Sequence, residues 1–210
     1  MSRRAARSRA AAAQRRARRR TFLAVIAVVV GVLVIAAAVL VLLGGNRGLD
    51  KEAAAVQGYS YPSLQMFPPD PGGRRHLAAG ESYDNYNSNP PTSGPHASAT
   101  ATPGVHDEPV PKEMAVHNME HGQVVVWYNC IAPQPLNADA CNTLKQSLAG
   151  VVSEANNRGK RVVTTPYSAM DYRIALTAWQ FLDGFGEFDA QHVRTFIDTF
   201  YCHTNLEGFC

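Results

Sequence analysis

Three polar side chains crowd into five residues, His117, Glu120 and His121, within Val-His-Asn-Met-Glu-His-Gly at 116–122. A fourth group, His96, closes the stretch Asn-Ser-Asn-Pro-Pro-Thr-Ser-Gly-Pro-His at 87–96. Proline fixes φ near −65°, and Asn, Ser and Gly favour turns, so this second stretch reads as a rigid bend. A stiff backbone beside clustered imidazole and carboxylate groups is how a chain holds a polar site in place. On a helix, His117 and His121 stand one turn apart and both can reach one ion. On a strand, His117, Met119 and His121 would share a face, with Glu120 and Asn118 on the other. Gly122 is a natural helix terminator, so a short helical turn is the favoured reading.

His96 can add a third nitrogen, and Met114 and Met119 offer thioethers. Imidazoles suit zinc and copper, and thioethers select Cu(I). The candidate metal ligands are therefore His96, His117, Glu120, His121 and Met119, with copper or zinc as the candidate ion. The competing reading is structural: His and Glu side chains hydrogen-bond one another and tie the proline-rich loop to a sheet. Residues 117–121 also spell His-x-x-Glu-His, the inverted zinc-protease pattern. That chemistry needs a stable helix and a downstream acidic ligand, for which Glu154, Glu187 and Glu207 are the candidates. The glycine and β-rich run that follow at once argue against a long helix. Among the other histidines, His76 reads as a solvated loop residue, His106 as a possible addition to the site, His192 as lying on the polar side of a helix, and His203 as structural. Gly184-Phe185-Gly186 reads as a turn. No nucleophile elbow, P-loop or dinucleotide fingerprint is present.

The elements that must position these groups come late in the chain. Gln123 to Asn129 is a strand by its β-branched and aromatic content. Asn137 can cap a helix over residues 138–157, with Leu144, Leu148, Val151 and Val152 as its apolar stripe. Arg161 to Pro166 and Tyr172 to Phe181 read as a second and a third strand. Asp189 opens a last helix. The helical crossover makes the first two strands parallel, and a turn near Ser168–Asp171 brings back the third antiparallel. The expected fold is α+β: a small β-α-β-β-α sheet domain, thioredoxin-like or ferredoxin-like. A redox Cys-x-x-Cys is missing. Ten of the thirteen prolines lie in residues 59–113, which show no regular period. That segment is expected to be loop-rich, yet ordered, because Tyr59, Tyr61, Phe67, Tyr83 and Tyr86 are atypical of disordered chains.

The N-terminus sets the compartment. Residues 1–20 hold nine arginines and no acid, and residues 21–43 carry no charge. About 20 apolar residues span a hydrocarbon core of roughly 30 Å. The run exceeds the roughly 7–15 residues of a cleaved signal peptide's apolar region. No cysteine follows it for lipid attachment. We therefore expect an uncleaved signal anchor: a basic cytoplasmic tail (1–20), a transmembrane helix (21–43), a linker (44–58) and an extracytoplasmic domain (59–210). The expected location is a bacterial cell membrane, single-pass. Without the nine arginines, the balance is 11 basic against 17 acidic residues, a charge of −6. An acidic outer part excludes nucleic acid as its partner. The membrane, and membrane proteins, remain as partners.

The four cysteines, Cys130, Cys141, Cys202 and Cys210, suit two disulfides outside the cytoplasm. Local pairing, Cys130 with Cys141 and Cys202 with Cys210, is favoured. The spacings of ten and seven intervening residues do not suit a zinc knuckle.

Asn-Pro-Pro-Thr-Ser-Gly-Pro-His at 89–96, Val-His-Asn-Met-Glu-His-Gly at 116–122 and Ala-Leu-Thr-Ala-Trp at 175–179 together resemble a bacterial family, domain of unknown function 3105, over roughly residues 70–205. The resemblance implies a single-span membrane protein with an outer domain. It also implies that His96, His117, Glu120 and His121 form a shared site. The Cys202–Cys210 tail departs from the usual family ending. No activity comes with the resemblance. The functional expectation is a membrane-anchored metal-binding protein. An accessory interaction module of a membrane complex, without metal, is the alternative; a hydrolase using Glu120 as base is a third.

Overall fold

The computed structural model describes residues 59–210. The basic tail, the apolar run at 21–43 and the linker at 44–58 lie outside the described residues. Among the described residues no helix is long and apolar enough to cross a membrane.

Six strands form one mixed sheet: β1 (Leu64–Met66), β2 (Gly104–Val105), β3 (Val124–Tyr128), β4 (Val162–Pro166), β5 (Ile174–Ala178) and β6 (Phe181–Phe185). Among the described residues three helices accompany it: α1 (Lys112–Glu120), α2 (Ala138–Asn157) and α3 (Ala190–Phe200). The strand order is β1-β6-β5-β3-β4-β2. β3 runs parallel to β4, as its helical crossover α2 requires, and antiparallel to β5. The fold is thus α+β, with the valine-rich β3 at its centre.

Strand alternation distributes the core. Val125 and Trp127 of β3, Val163 of β4 and Ala175 of β5 pack against Ala115, Val116 and Met119 of α1. The alternate positions, Val124 and Val126, are left for the opposite face, and both are fully buried. There α2 packs against β4 and α3 against β5, and the two helices touch each other. Burial on both faces is why β3 reads as an unbroken apolar run rather than an alternating one.

The caps follow the sequence. The Asn137 side chain accepts from the Ala140 backbone N–H at 2.8 Å, and Asp189 accepts from the Gln191 and His192 N–H groups. Each satisfies donors that the first helical turn leaves unpaired. The disulfides Cys130–Cys141 and Cys202–Cys210 are both present, with Cα separations of 5.6 and 5.8 Å.

Four expectations need correction. The run Tyr172 to Phe181 is not one strand. Gln180 takes a left-handed φ of 68°, so the chain turns and Phe181 starts β6. Gly184 belongs to that strand and not to a turn; a Cβ there would sit 2.4 Å from the Tyr172 ring, so glycine makes room for an aromatic. The third strand is antiparallel as expected, but its partner is β3 and not β4 across the Ser168–Asp171 turn, which leaves the outer edge of β4 to β2. Finally, His192 is not on a polar face. It is 6 % exposed, with its Nε2 2.8 Å from Asp183 Oδ2 and its ring stacked between Tyr61 and Phe185. The Tyr59 hydroxyl donates to the same carboxylate. Burial and that hydrogen bond push the hydroxyl's pKa up, so it remains a donor. This group fastens the start of the described chain to β6 and α3.

Candidate metal centre

Helix α1 carries the first half of the site. Its backbone begins on Pro111, whose carbonyl accepts from the Met114 and Ala115 N–H groups. It ends at Glu120, and Gly122 two residues on, with a φ of +78°, turns the chain into β3. Nine residues are enough to fix the helical phase of its polar groups. At roughly 100° per residue, His117, Glu120 and His121 share one side, while Met119 turns the other way. Met119 is fully buried in the apolar cluster with Trp127 and Trp179. The sequence reading placed its sulfur near the site; helical phase directs it into the core instead.

The proline bend carries the second half. Residues 90–96 are all buried despite having no regular structure. Asp70 organises them. Its backbone N–H donates to Ser93 Oγ, and its carboxylate accepts from the Tyr83 hydroxyl and from the Gly72 and Asn87 N–H groups. Gly94 has a φ of +130°, and a Cβ there would lie 2.8 Å from the Tyr86 ring. Tyr86 in turn donates to the Pro95 carbonyl at 2.6 Å. His96 then pairs by backbone with a remote segment: its N–H donates to the Arg75 carbonyl, and the Leu77 N–H donates to the His96 carbonyl. That pairing sets His76 beside His96, with ring centroids 4.9 Å apart.

Four residues therefore converge: His76, His96, His117 and Glu120 each offer a ligand atom, and these atoms lie within 4.8 Å of one another. Such a set fits inside a sphere of about 3 Å radius, against zinc–nitrogen bonds of roughly 2.0–2.1 Å, so a contraction of about an ångström would close it on an ion. His96, His117 and Glu120 are buried, whereas His76 is exposed and forms the rim. His121 does not share this point. It falls into a second group with His117 and Glu207, with its Nε2 2.8 Å from Glu207 Oε2. His106 lies apart, bonded to the Thr102 carbonyl. His203 packs its ring on Phe181 and Phe200.

Hydrogen bonding and burial set the inner imidazoles. His96 Nδ1 lies 2.9 Å from the Gly94 carbonyl. A carbonyl only accepts, so Nδ1 carries a proton and Nε2 is the nitrogen turned toward the cluster. That Nε2 approaches Glu120 Oε2 to 2.9 Å, yet the oxygen lies off the ring's N–H direction and no hydrogen bond forms. Ring nitrogen and carboxylate oxygen thus face one shared space. His117 Nδ1 is likewise buried with no partner. Burial, reinforced by the neighbouring His121, His96 and His76 rings, lowers the His117 pKa to about 4, so this ring is neutral at pH 7. The second Glu120 oxygen, Oε1, accepts from Arg74 Nη1 at 3.1 Å.

Sequence reasoning missed His76 and Arg74. Their proximity depends on pairing between two irregular segments, and no spacing rule announces it.

Residues 76–208 match the family described as protein of unknown function (DUF3105), and the chain belongs to that family. No curated protein and no solved structure matches it.

Proposed function

We propose that this chain is a membrane-anchored extracytoplasmic protein that binds one zinc or copper(II) ion through His76, His96, His117 and Glu120. One observation carries the reading: two imidazoles in one cluster present buried nitrogens, His96 Nε2 and His117 Nδ1, that nothing satisfies. An unsatisfied buried polar atom costs about 1–3 kcal/mol. A cluster evolved only for hydrogen bonding would pair these atoms. A cation accepts both lone pairs and neutralises Glu120. Three nitrogens and one oxygen, with no thioether, suit zinc or copper(II) better than Cu(I). Four protein ligands are the complement of a closed, four-coordinate site. Arg74 on Glu120 and the Gly94 carbonyl on His96 are the outer contacts that orient such ligands.

The nine arginines and the uncharged run at 21–43 support the anchor. The sheet order β6-β5-β3-β4, with α2 as crossover, reads as a thioredoxin-like arrangement; no Cys-x-x-Cys accompanies it, so dithiol chemistry forms no part of the proposal. The hydrolase reading is disfavoured because Arg74 holds Glu120 Oε1 and the other oxygen faces the imidazoles of the cluster, which makes the carboxylate a ligand rather than a free base.

The test is metal stoichiometry. Full-length protein, stripped with chelator and dialysed against zinc chloride or copper(II) chloride, should retain one ion per chain. Retention of neither ion would remove the proposal.

A further inference from the structure

The C-terminal tail lies against the end of α1 through a set of specific contacts. The Cys202 N–H donates to the Gly122 carbonyl at 2.8 Å, and the Leu206 N–H to the Glu120 carbonyl at 3.2 Å. A Cβ at Gly122 would lie 2.9 Å from Cys210 Sγ and 3.2 Å from Cys202 Cα, so the absent side chain is the space the disulfide loop fills. Phe209 stacks on the His121 ring, centroids 4.0 Å apart. The loop so held delivers Glu207 to His121 and His117.

We infer that His117, His121 and Glu207 form a second, outer cation site. It is the port through which a divalent ion such as zinc reaches the inner group. This inference rests on the metal-binding reading above. Three features carry it. The ligand atoms of the outer group lie within the same 4.8 Å span as those of the inner one. The outer group is more open: the Glu207 side chain is 38 % exposed and that of His121 12 %, against 0 % for His96 and 3 % for Glu120. His117 belongs to both groups, is 5 % exposed, and carries the unpartnered Nδ1. An ion passing inward therefore stays beside the His117 ring while it gives up His121 and Glu207 and gains His76, His96 and Glu120. Two imidazoles and a carboxylate suit zinc and leave a coordination position open for water or for an incoming ligand. A carboxylate at the mouth also concentrates cations there.

A port lowers the barrier in both directions and leaves the inner equilibrium alone. Zinc uptake by the stripped full-length chain, and zinc release to excess chelator, are followed by stopped flow for the native protein and for Glu207→Gln. Glu207 is exposed and outside every helix and strand, so the substitution leaves the fold intact. Both rates should fall roughly tenfold, with equilibrium affinity changed less than about threefold. Native rates in Glu207→Gln would overturn the port. So would a fall in affinity with uptake unchanged, which would make Glu207 a ligand of the inner ion. His96→Gln separates the two claims. It should abolish tight retention while the fast, weak outer binding persists. A native chain that binds no zinc at all would remove both claims.

Discussion

His96→Ala is expected to weaken zinc or copper(II) binding by at least roughly 100-fold, about 2.7 kcal/mol. The residue is fully buried, and its Nδ1 proton is committed to the Gly94 carbonyl, so its lone pair has no outlet but the cluster. Removing the ring deletes one of three nitrogens and leaves Glu120 held from one side by Arg74. The backbone clamp to Arg75 and Leu77 does not involve the side chain, so His76 stays in place. Loss of one ligand thus weakens the site without dismantling it. His106→Ala is the control, because that ring lies outside the cluster and contacts the Thr102 carbonyl. Competition titration against a chelator of known affinity reads the difference. Equal affinities for His96→Ala and His106→Ala would count decisively against His96 as a ligand.

Asn118→Ala is expected to destabilise the fold by about 3–5 kcal/mol. Asn118 sits in α1 between two site residues but points into the core, fully buried. Its Oδ1 accepts from the Ala101 N–H, and its Nδ2 donates to the Ala101 carbonyl and to Gln123 Oε1, each at 2.8 Å. Alanine would strand three buried partners at once. Asn118→Asp would not repair the loss, since a carboxylate can accept from Ala101 but cannot donate to the other two. The tether matters for the site because it joins the segment after His96 to the helix bearing His117 and Glu120. Urea denaturation of the metal-free protein measures the change. A shift below about 1 kcal/mol would mean that water or a rearranged loop replaces these bonds.

What could be read from the sequence was whatever local chemistry decides. Asn137 and Asp189 announce helices because a side-chain oxygen beside an apolar stripe satisfies the first turn by itself. Gly122 announces the end of α1 because a left-handed residue is needed there. The valine run of β3 needs burial on two faces wherever it lies. The features that were not legible depend on contacts between distant segments. The turn at Gln180 breaks a run that is apolar throughout, and only the pairing of Leu176 with Asp183 and of Thr177 with Leu182 reveals a hairpin. Met119 looked like a ligand because it neighbours two histidines in sequence; helical phase separates it from them in space. His76 and Glu207 join the two groups through loop pairing and a disulfide-closed tail, neither of which leaves a periodic trace. His192 reads as lying on the polar side of its helix because Asp183, Tyr59 and the rings that cover it come from two other parts of the chain, β6 and the segment before β1.

X-ray absorption at the metal edge of the zinc-loaded, full-length protein interrogates the inner site itself. Three imidazole nitrogens and one carboxylate oxygen at roughly 2.0–2.1 Å are expected. A shell of oxygen atoms alone, or one containing sulfur, would contradict the assignment of His76, His96, His117 and Glu120 as the ligands.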